Sequence, residues 1–392
     1  NKLQYRWLNL LASQKNNFFV VGDDDQSIYS WRGARVENMQ KFRKHYPDYN
    51  LIRLEQNYRS SSNILNAANA LIANNSSRIG KNLWTNKEDG KPLMLYSAYN
   101  ELDEARYVVD SIESAILSDP DPSFSDCAML YRVSAQSRVL EDALRLKGIE
   151  YRVYGGFRFY DRAEIKDVLG YLRLVFSKND DAAFERVVNF PPRGLGDKAL
   201  GTIREGARSY NVSLFEAAET LLKNQELPTR TQKALTDFFI IIDILKNHAV
   251  TDNDSLSELI GIISLKSGLI EHFKKEKGGR GLDRIENINE LTVAAKDFDG
   301  DQENGILESF LTQASLESGE TQASEGADCV QLMTLHSAKG LEFKFVFILG
   351  LEEGLFPHKR SIGSMEQLQE ERRLCYVGIT RAQEYLCLTH AE

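Results

Sequence analysis

Short apolar runs, each ending on glycine or a polar turn, punctuate the first and last parts of the chain. Phe18–Gly22, Leu51–Leu54, Pro92–Tyr96, Cys127–Tyr131 and Tyr151–Tyr154 read as strands, as do Val330–Leu335, Phe345–Leu349 and Tyr385–Thr389. Continuous rather than alternating apolar runs suit strands buried on both faces, as in parallel sheets. Between them, apolar residues return at helical spacing over Ser62–Asn74, Leu102–Leu117 and Ser137–Lys147. Strand alternating with helix predicts an α/β fold built on an open, largely parallel sheet.

From about Lys178 to about Gly326 the period becomes almost entirely helical. Helices are expected at Asp181–Asn189, Lys198–Tyr210, Leu214–Lys223, Thr231–Lys246, Leu256–Phe273, Leu282–Phe298 and Ile306–Leu316. Strand signals resume at Val330. The simplest account is an all-helical domain inserted into the α/β domain, with Glu317–Asp328, rich in Ser, Gly and Glu, as the return linker.

Composition narrows this picture only a little. A chain of 392 residues with 42% hydrophobic and 27% charged residues is ordinary for a globular protein of two or three domains. No apolar run approaches the roughly 20 residues of a membrane span. Asn1 opens no signal-peptide pattern, so a cytoplasmic location is expected, and a first residue other than Met suggests an excised fragment. Cys127, Cys329, Cys375 and Cys387 show no CxxC spacing and read as free thiols, with no metal site expected. The net charge of −9 argues against a globally nucleic-acid-binding surface but leaves room for a local basic groove.

Candidate chemistry lies in five segments. Val20–Ala34 delivers Gln26 beside Tyr29, Trp31 and Arg32: amides orient water or touch phosphate, and aromatic faces stack unpaired bases. Leu54–Ser60 offers the Tyr58 ring to a purine and the Arg59 fork to a phosphate, with Ser60, Ser61 or Ser62 able to cap a following helix. Thr334–Phe343 is a strand-to-turn segment carrying His336 and Glu342, a carboxylate able to accept from a sugar hydroxyl. Glu370–Ala382 is a helix ending near Arg381, which can neutralise charge on a transferred phosphoryl group. In the helical region, Pro191–Asp197 places Gly194 and Gly196 where backbone N–H groups can approach a phosphate. Basic residues gather near it (Arg193, Lys198, Arg204, Arg208) and again at Lys274, Lys275, Lys277, Arg280 and Arg284. Taken singly, each segment has a plain structural reading as a capped helix, a turn or a solvated charged face.

Their order decides the matter. The first four segments resemble motifs III, IV, V and VI of the UvrD/PcrA/Rep-like superfamily 1A helicases, in sequence and over the whole chain, with wording nearer UvrD-like than Rep-like members. Met129–Arg138, Tyr154–Tyr160 and Ala182–Asn189 add to the likeness. The resemblance implies a P-loop NTPase-like helicase core. Residues 1–55 would be the tail of RecA-like domain 1A, 56–177 with 327–392 the RecA-like domain 2A, and 178–326 the helical insertion 2B. It implies that Gln26 senses the γ-phosphate, that Tyr29 and Trp31 stack single-stranded bases, and that Arg32 faces DNA. Tyr58 would stack on adenine, Arg59 and Arg381 bind the γ-phosphate and Glu342 bind the ribose. His336 with Thr334 would link DNA to the nucleotide cleft, and Arg193–Gly196 would be a duplex-binding loop with Leu195 in place of the usual Ile.

The same resemblance implies an ATP-driven 3′→5′ translocase of DNA repair, using ATP and Mg²⁺, acting on single-stranded and duplex-junction DNA and meeting excision- and mismatch-repair proteins. No GxxxxGK[ST] loop occurs in the 392 residues, and the acidic motif that would hold Mg²⁺ is expected upstream of Asn1. The chain alone is therefore expected neither to hydrolyse ATP nor to hold a cofactor tightly. A helicase–nuclease subunit would need a nuclease domain not visible here. A non-catalytic binding module would need a parent without a phosphate loop. A plain nucleotide-binding enzyme leaves Trp31 and the helical insertion unexplained.

Overall fold

The computed structural model describes residues 2–12, 19–30, 33–76, 78–154, 159–250, 255–276, 279–298, 306–319 and 326–392. The chain forms two compact units, Asn1–Gly156 with Gln322–Glu392, and Phe157–Thr321.

The first unit is built on a six-stranded sheet of order β1-β6-β5-β2-β4-β3, parallel throughout. Its strands are β1 (Met94–Ala98), β2 (Cys127–Tyr131), β3 (Tyr151–Val153), β4 (Val330–Thr334), β5 (Phe343–Ile348) and β6 (Ala382–Ala391). The helices α1 (Lys2–Ala12), α2 (Glu37–His45), α3 (Ser62–Ile72), α4 (Glu101–Ser118) and α5 (Ser137–Leu146) precede the second unit in sequence. Strand β2 is buried at every position, and its alternation sorts the core into two layers. Ala128 and Leu130 join Ile64, Ala68, Leu374 and Val377 on one face. Cys127, Met129 and Tyr131 join Val108, Ile112, Val139 and Leu144 on the other. Asn100 caps α4 by accepting from the Asp103 N–H, and Glu101, Asp103 and Glu104 complement the dipole of its first turn.

Two expected strands are absent. Val20–Gly22 and Leu51–Leu54 are irregular, with Phe19 91% and Leu54 82% exposed; Phe18 lies outside the described residues. An apolar run becomes a strand only where a neighbour completes its backbone hydrogen bonds, and neither run pairs with a strand among the described residues. Beyond Leu54 the chain forms an isolated β-bridge, Gln56 to Trp84, in place of a strand.

The second unit comprises α6 (Ala163–Phe176), α7 (Asp181–Val187), α8 (Asp197–Tyr210), α9 (Leu214–Lys223), α10 (Thr229–Val250), α11 (Leu256–Lys266), α12 (Leu269–Lys274), α13 (Arg280–Asp297) and α14 (Ile306–Gly319). After it comes α15 (Met365–Ile379), on the sheet of the first unit. Buried residues of α6 belong to the helical core with Phe184, Phe215, Phe238 and Phe273. The single helix expected over Leu256–Phe273 is two, because Gly268 adopts φ +84° and ends the first, a conformation open to glycine at little cost. No helix among the described residues is long and apolar enough to cross a membrane. The four cysteines are free, and burial raises Cys127 and Cys375 to about 12, which leaves them unreactive thiols at neutral pH.

One buried carboxyl sets a pH test for this unit. Burial raises Asp167 to about 6, against the lowering pull of Arg186 2.8 Å away. The native state therefore binds this proton more tightly than the unfolded chain does. The resulting stability is present at low pH and is lost as pH rises through about 6. Relative to Asp167→Asn, the unaltered protein should gain about 1–2 kcal/mol between pH 7 and pH 4.5 in urea unfolding. A difference that does not vary with pH would overturn this assignment.

Candidate functional site

The loop Asp23–Ser30 opens with three aspartates whose ligand atoms lie within 4.8 Å of one another. Such a cluster invites a cation, but its oxygens already face donors. Asp25 accepts two bonds of 2.7 Å from the Arg78 guanidinium, and Asp24 Oδ2 accepts from the Ile79 N–H at 2.7 Å. Asp23 Oδ2 accepts from Lys81 Nζ at 2.5 Å and from Gln26 Nε2 at 2.8 Å. Two basic side chains offset two of the three charges and a backbone amide occupies the third carboxylate, so the triplet does not fit Mg²⁺.

The rest of the loop is fastened by α15 and the turn after β4. Lys339 Nζ donates to the Gln26 carbonyl at 2.8 Å and sits 5.4 Å from the Tyr29 ring centre. Buried Arg373, on α15, donates to the Ser27 carbonyl, and Glu370 accepts from both the Ser30 N–H and the Ser30 hydroxyl. The Tyr29 hydroxyl donates to the His336 carbonyl, with the two rings 6.2 Å apart. Thr334 shares a 3.0 Å hydroxyl contact with Ser337 in the adjoining turn. Trp31 and Arg32 lie outside the described residues.

A second loop is shaped by Asn57, whose Oδ1 accepts from the Arg59 and Ser60 N–H groups at 2.8 and 2.9 Å. This side-chain turn leaves the Tyr58 ring 76% exposed, with its hydroxyl on Gln56, so a face is available for stacking. The Ser60 hydroxyl donates to the Ala382 carbonyl and the Ser61 N–H to the Gln383 carbonyl, which brings Arg59 beside the start of β6 and Arg381. None of the three serines caps α3 through its side chain. The Ser62 and Asn63 N–H groups donate to the carbonyls of Glu88 and Asp89, so this helix start is closed to an anion.

Arg59 Nε donates to Glu342 Oε2 at 2.5 Å and Nη1 to the Thr380 carbonyl at 3.1 Å. That bond, assisted by the Arg59 charge, holds Glu342 below the usual carboxylate range. Arg381 is 3% exposed, and its guanidinium donates to the carbonyls of Val377 and Leu341 and to the Thr380 hydroxyl. Among the described residues no carboxylate lies within ion-pair distance of it. Burial, with the like charge of Arg59, lowers Arg381 to about 10. Glu342 and Asp23 pull the other way without offsetting the burial, so this cation, beside a second cation and ion-paired with no carboxylate among the described residues, marks a site short of negative charge. Helix α15 reaches the sheet closely enough to set this geometry: a Cβ on Gly378 would come within 2.4 Å of Leu335 Cδ2.

In the helical unit the expected DNA contact divides. The Arg193 guanidinium turns inward, donating to the carbonyls of Val187, Pro191 and Ser267 and to the Tyr171 hydroxyl. Its charge builds the loop. Asn189 Oδ1 takes the Arg193 and Leu195 N–H groups, while Gly194 and Gly196 are exposed and show no backbone N–H partner among the described residues. The nearby cations are partly committed: Arg204 pairs with Glu185 and Arg284 with Glu276, while Lys277 lies outside the described residues.

A model of the UvrD-like helicase C-terminal domain matches residues 52–392, and one of the UvrD/REP helicase N-terminal domain matches residues 1–47. The chain belongs to the UvrD-like helicase family. It is 51% identical over 395 residues to DNA helicase II of Escherichia coli and 50% identical to DNA helicase II of Haemophilus influenzae. It is 44% identical to the ATP-dependent DNA helicase PcrA of Bacillus subtilis. Each alignment takes in all of this chain but only 53–54% of the relative, so the chain spans about half the length of these UvrD-like helicases. The sequence singled out Gln26, Tyr58, Arg59, Glu342 and Arg381 in these motifs and gave no role to the side chains that hold them. Arg78, Lys81, Lys339, Glu370 and Arg373 carried only the signal of charge inside or between motifs, which solvated surface residues carry equally.

Proposed function

We propose that the intact protein is a cytoplasmic, ATP-driven motor that moves 3′→5′ along single-stranded DNA and opens duplex during repair, and that this chain supplies motifs III to VI. The observation that carries the proposal is Arg381: nearly fully buried, ion-paired with no carboxylate among the described residues and next to Arg59, it suits a transferring phosphoryl group. Gln26 orients the attacking water or touches the terminal phosphate, Tyr58 offers its exposed ring to the adenine, and Arg59 exchanges Glu342 for phosphate while Glu342 turns to the ribose. Mg²⁺ neutralises phosphate charge when bound, and the acidic triplet here is not its seat. Tyr29 and Trp31 stack bases, with Arg32 beside them. His336 adjoins Tyr29 and Thr334 braces the same turn through Ser337, so a change at the nucleotide reaches the bases through Lys339 and this turn. Stacking of about 1–3 kcal/mol per base grips a strand and still releases it. The Gly194 and Gly196 N–H groups meet a duplex phosphate in the second unit, on a loop that Arg193 braces. Excision- and mismatch-repair proteins are the partners this function implies.

The test is ATP turnover by the full-length protein with and without single-stranded DNA, beside the 392-residue chain alone. Stimulation by DNA in the first and no turnover in the second are the expected results. A full-length protein that binds DNA without hydrolysing ATP would leave a binding module instead.

A further inference from the structure

The segment Arg78–Lys81 lies outside the four motifs, yet three of its groups hold the acidic loop. Lys81 matters most, because its partner is also the partner of the glutamine. Asp23 Oδ2 accepts from Lys81 Nζ and Gln26 Nε2 together, and the Lys81 side chain is only 18% exposed. A carboxylate can accept but not donate, so the Gln26 amide must turn its NH₂ to Asp23 and its Oε1 away. The position of Asp23 therefore fixes which end of the amide is presented. Asp23 is kept in place by the ammonium of Lys81, which in turn lies 5.9 Å from the Tyr376 ring centre on α15.

We propose that Lys81 is a positioning residue for the reaction: through Asp23 it holds Gln26 with the carbonyl oxygen outward, as an acceptor for the attacking water. The inference rests on the ATP-hydrolysing reading above. With Lys81 gone, Asp23 keeps the Asp25 N–H on Oδ1 but loses the charge that pins Oδ2 against Gln26, so the amide can flip and present N–H where an acceptor is needed. Substrate binding, carried by Tyr58, Arg59 and Glu342, is untouched.

DNA-stimulated ATP hydrolysis by the full-length protein tests this with Lys81→Met and Lys81→Arg, each made with Gln26 intact and with Gln26→Ala. Lys81→Met is expected to lower kcat about tenfold and shift KM for ATP less than about twofold, the signature of lost orientation rather than lost binding. Lys81→Arg, which keeps a charged donor, should recover most of the rate. Once Gln26 is alanine, Lys81→Met should change kcat by less than about twofold, since residues acting as one unit are not additive. Equal losses in both backgrounds would mean that Lys81 acts on stability or elsewhere and would overturn the proposal, as would no loss in either. Should Lys81→Met not fold, Lys81→Gln, a neutral donor, takes its place in the same comparison. Absence of DNA-stimulated turnover in the unaltered full-length protein would instead remove the hydrolytic reading itself.

Discussion

Arg381→Ala in the full-length protein is expected to reduce DNA-stimulated ATP turnover by about 10³-fold, the lower end of what an arginine acting on phosphoryl transfer contributes. The reason is the cost of keeping that cation where it is. Its lowering to about 10, driven by burial and by Arg59, corresponds to about 3 kcal/mol against the charged form in the fold. Because the folded value lies below the unfolded one, the cost is present in full at any physiological pH and is relieved only as pH rises through about 10. A fold keeps such a group where an anion arrives to offset it. Arg381→Lys should recover little, since a single ammonium cannot hold the Leu341 and Val377 carbonyls and also meet phosphate. Steady-state kinetics with saturating DNA reads the effect. A loss below about tenfold would assign Arg381 to structure, given the size expected of a phosphoryl-transfer arginine.

Glu371→Ala should be the most destabilising of the substitutions considered. Glu371 is buried on α15 and takes a bidentate pair from Arg132, at 3.0 Å from Nε and 2.8 Å from Nη2, together with the His358 N–H. Burial alone would raise this carboxyl. The Arg132 hydrogen bond and charge outweigh it and hold Glu371 below its ordinary value. Removing one partner of a buried pair leaves the other charge uncompensated, at a cost of about 3–5 kcal/mol. Urea unfolding should show that loss for Glu371→Ala. The double substitution Arg132→Met with Glu371→Leu should recover most of it, because well-packed apolar groups replace a buried ion pair at little cost. A double variant no more stable than Glu371→Ala would show that the site depends on the charges themselves.

The two variants separate functions that lie ten residues apart on one segment of sequence: Glu371 fastens the middle of α15, and Arg381 follows its end. The sequence singled out Arg381 within this motif and gave Glu371 no role. Only the burial of each, and the presence or absence of an opposite charge, tells the brace from the site.

What the amino-acid order determined here was local and periodic. Apolar runs located all six strands of the sheet to within a few residues, and helical spacing located nearly every helix of the second unit. Those signals are short-ranged, because burial on one or both faces is written into consecutive residues. The motif residues were also legible, since Gln26, Tyr58, Arg59, Glu342 and Arg381 stand in recognisable wording. Tertiary structure decided everything that needed a partner distant in sequence. Val20–Gly22 and Leu51–Leu54 carry strand-like patterns but no neighbour among the described strands, so they stay irregular. The serines after Arg59 looked like helix caps, and β6 claimed Ser60 instead. Arg193 looked like a DNA contact, and its own loop carbonyls took its guanidinium. Three adjacent aspartates show no partner in the sequence, and the fold sets Arg78, Ile79 and Lys81 against them. In each case the residue type fixes what it can bind, and only the fold determines whether something else has already bound it.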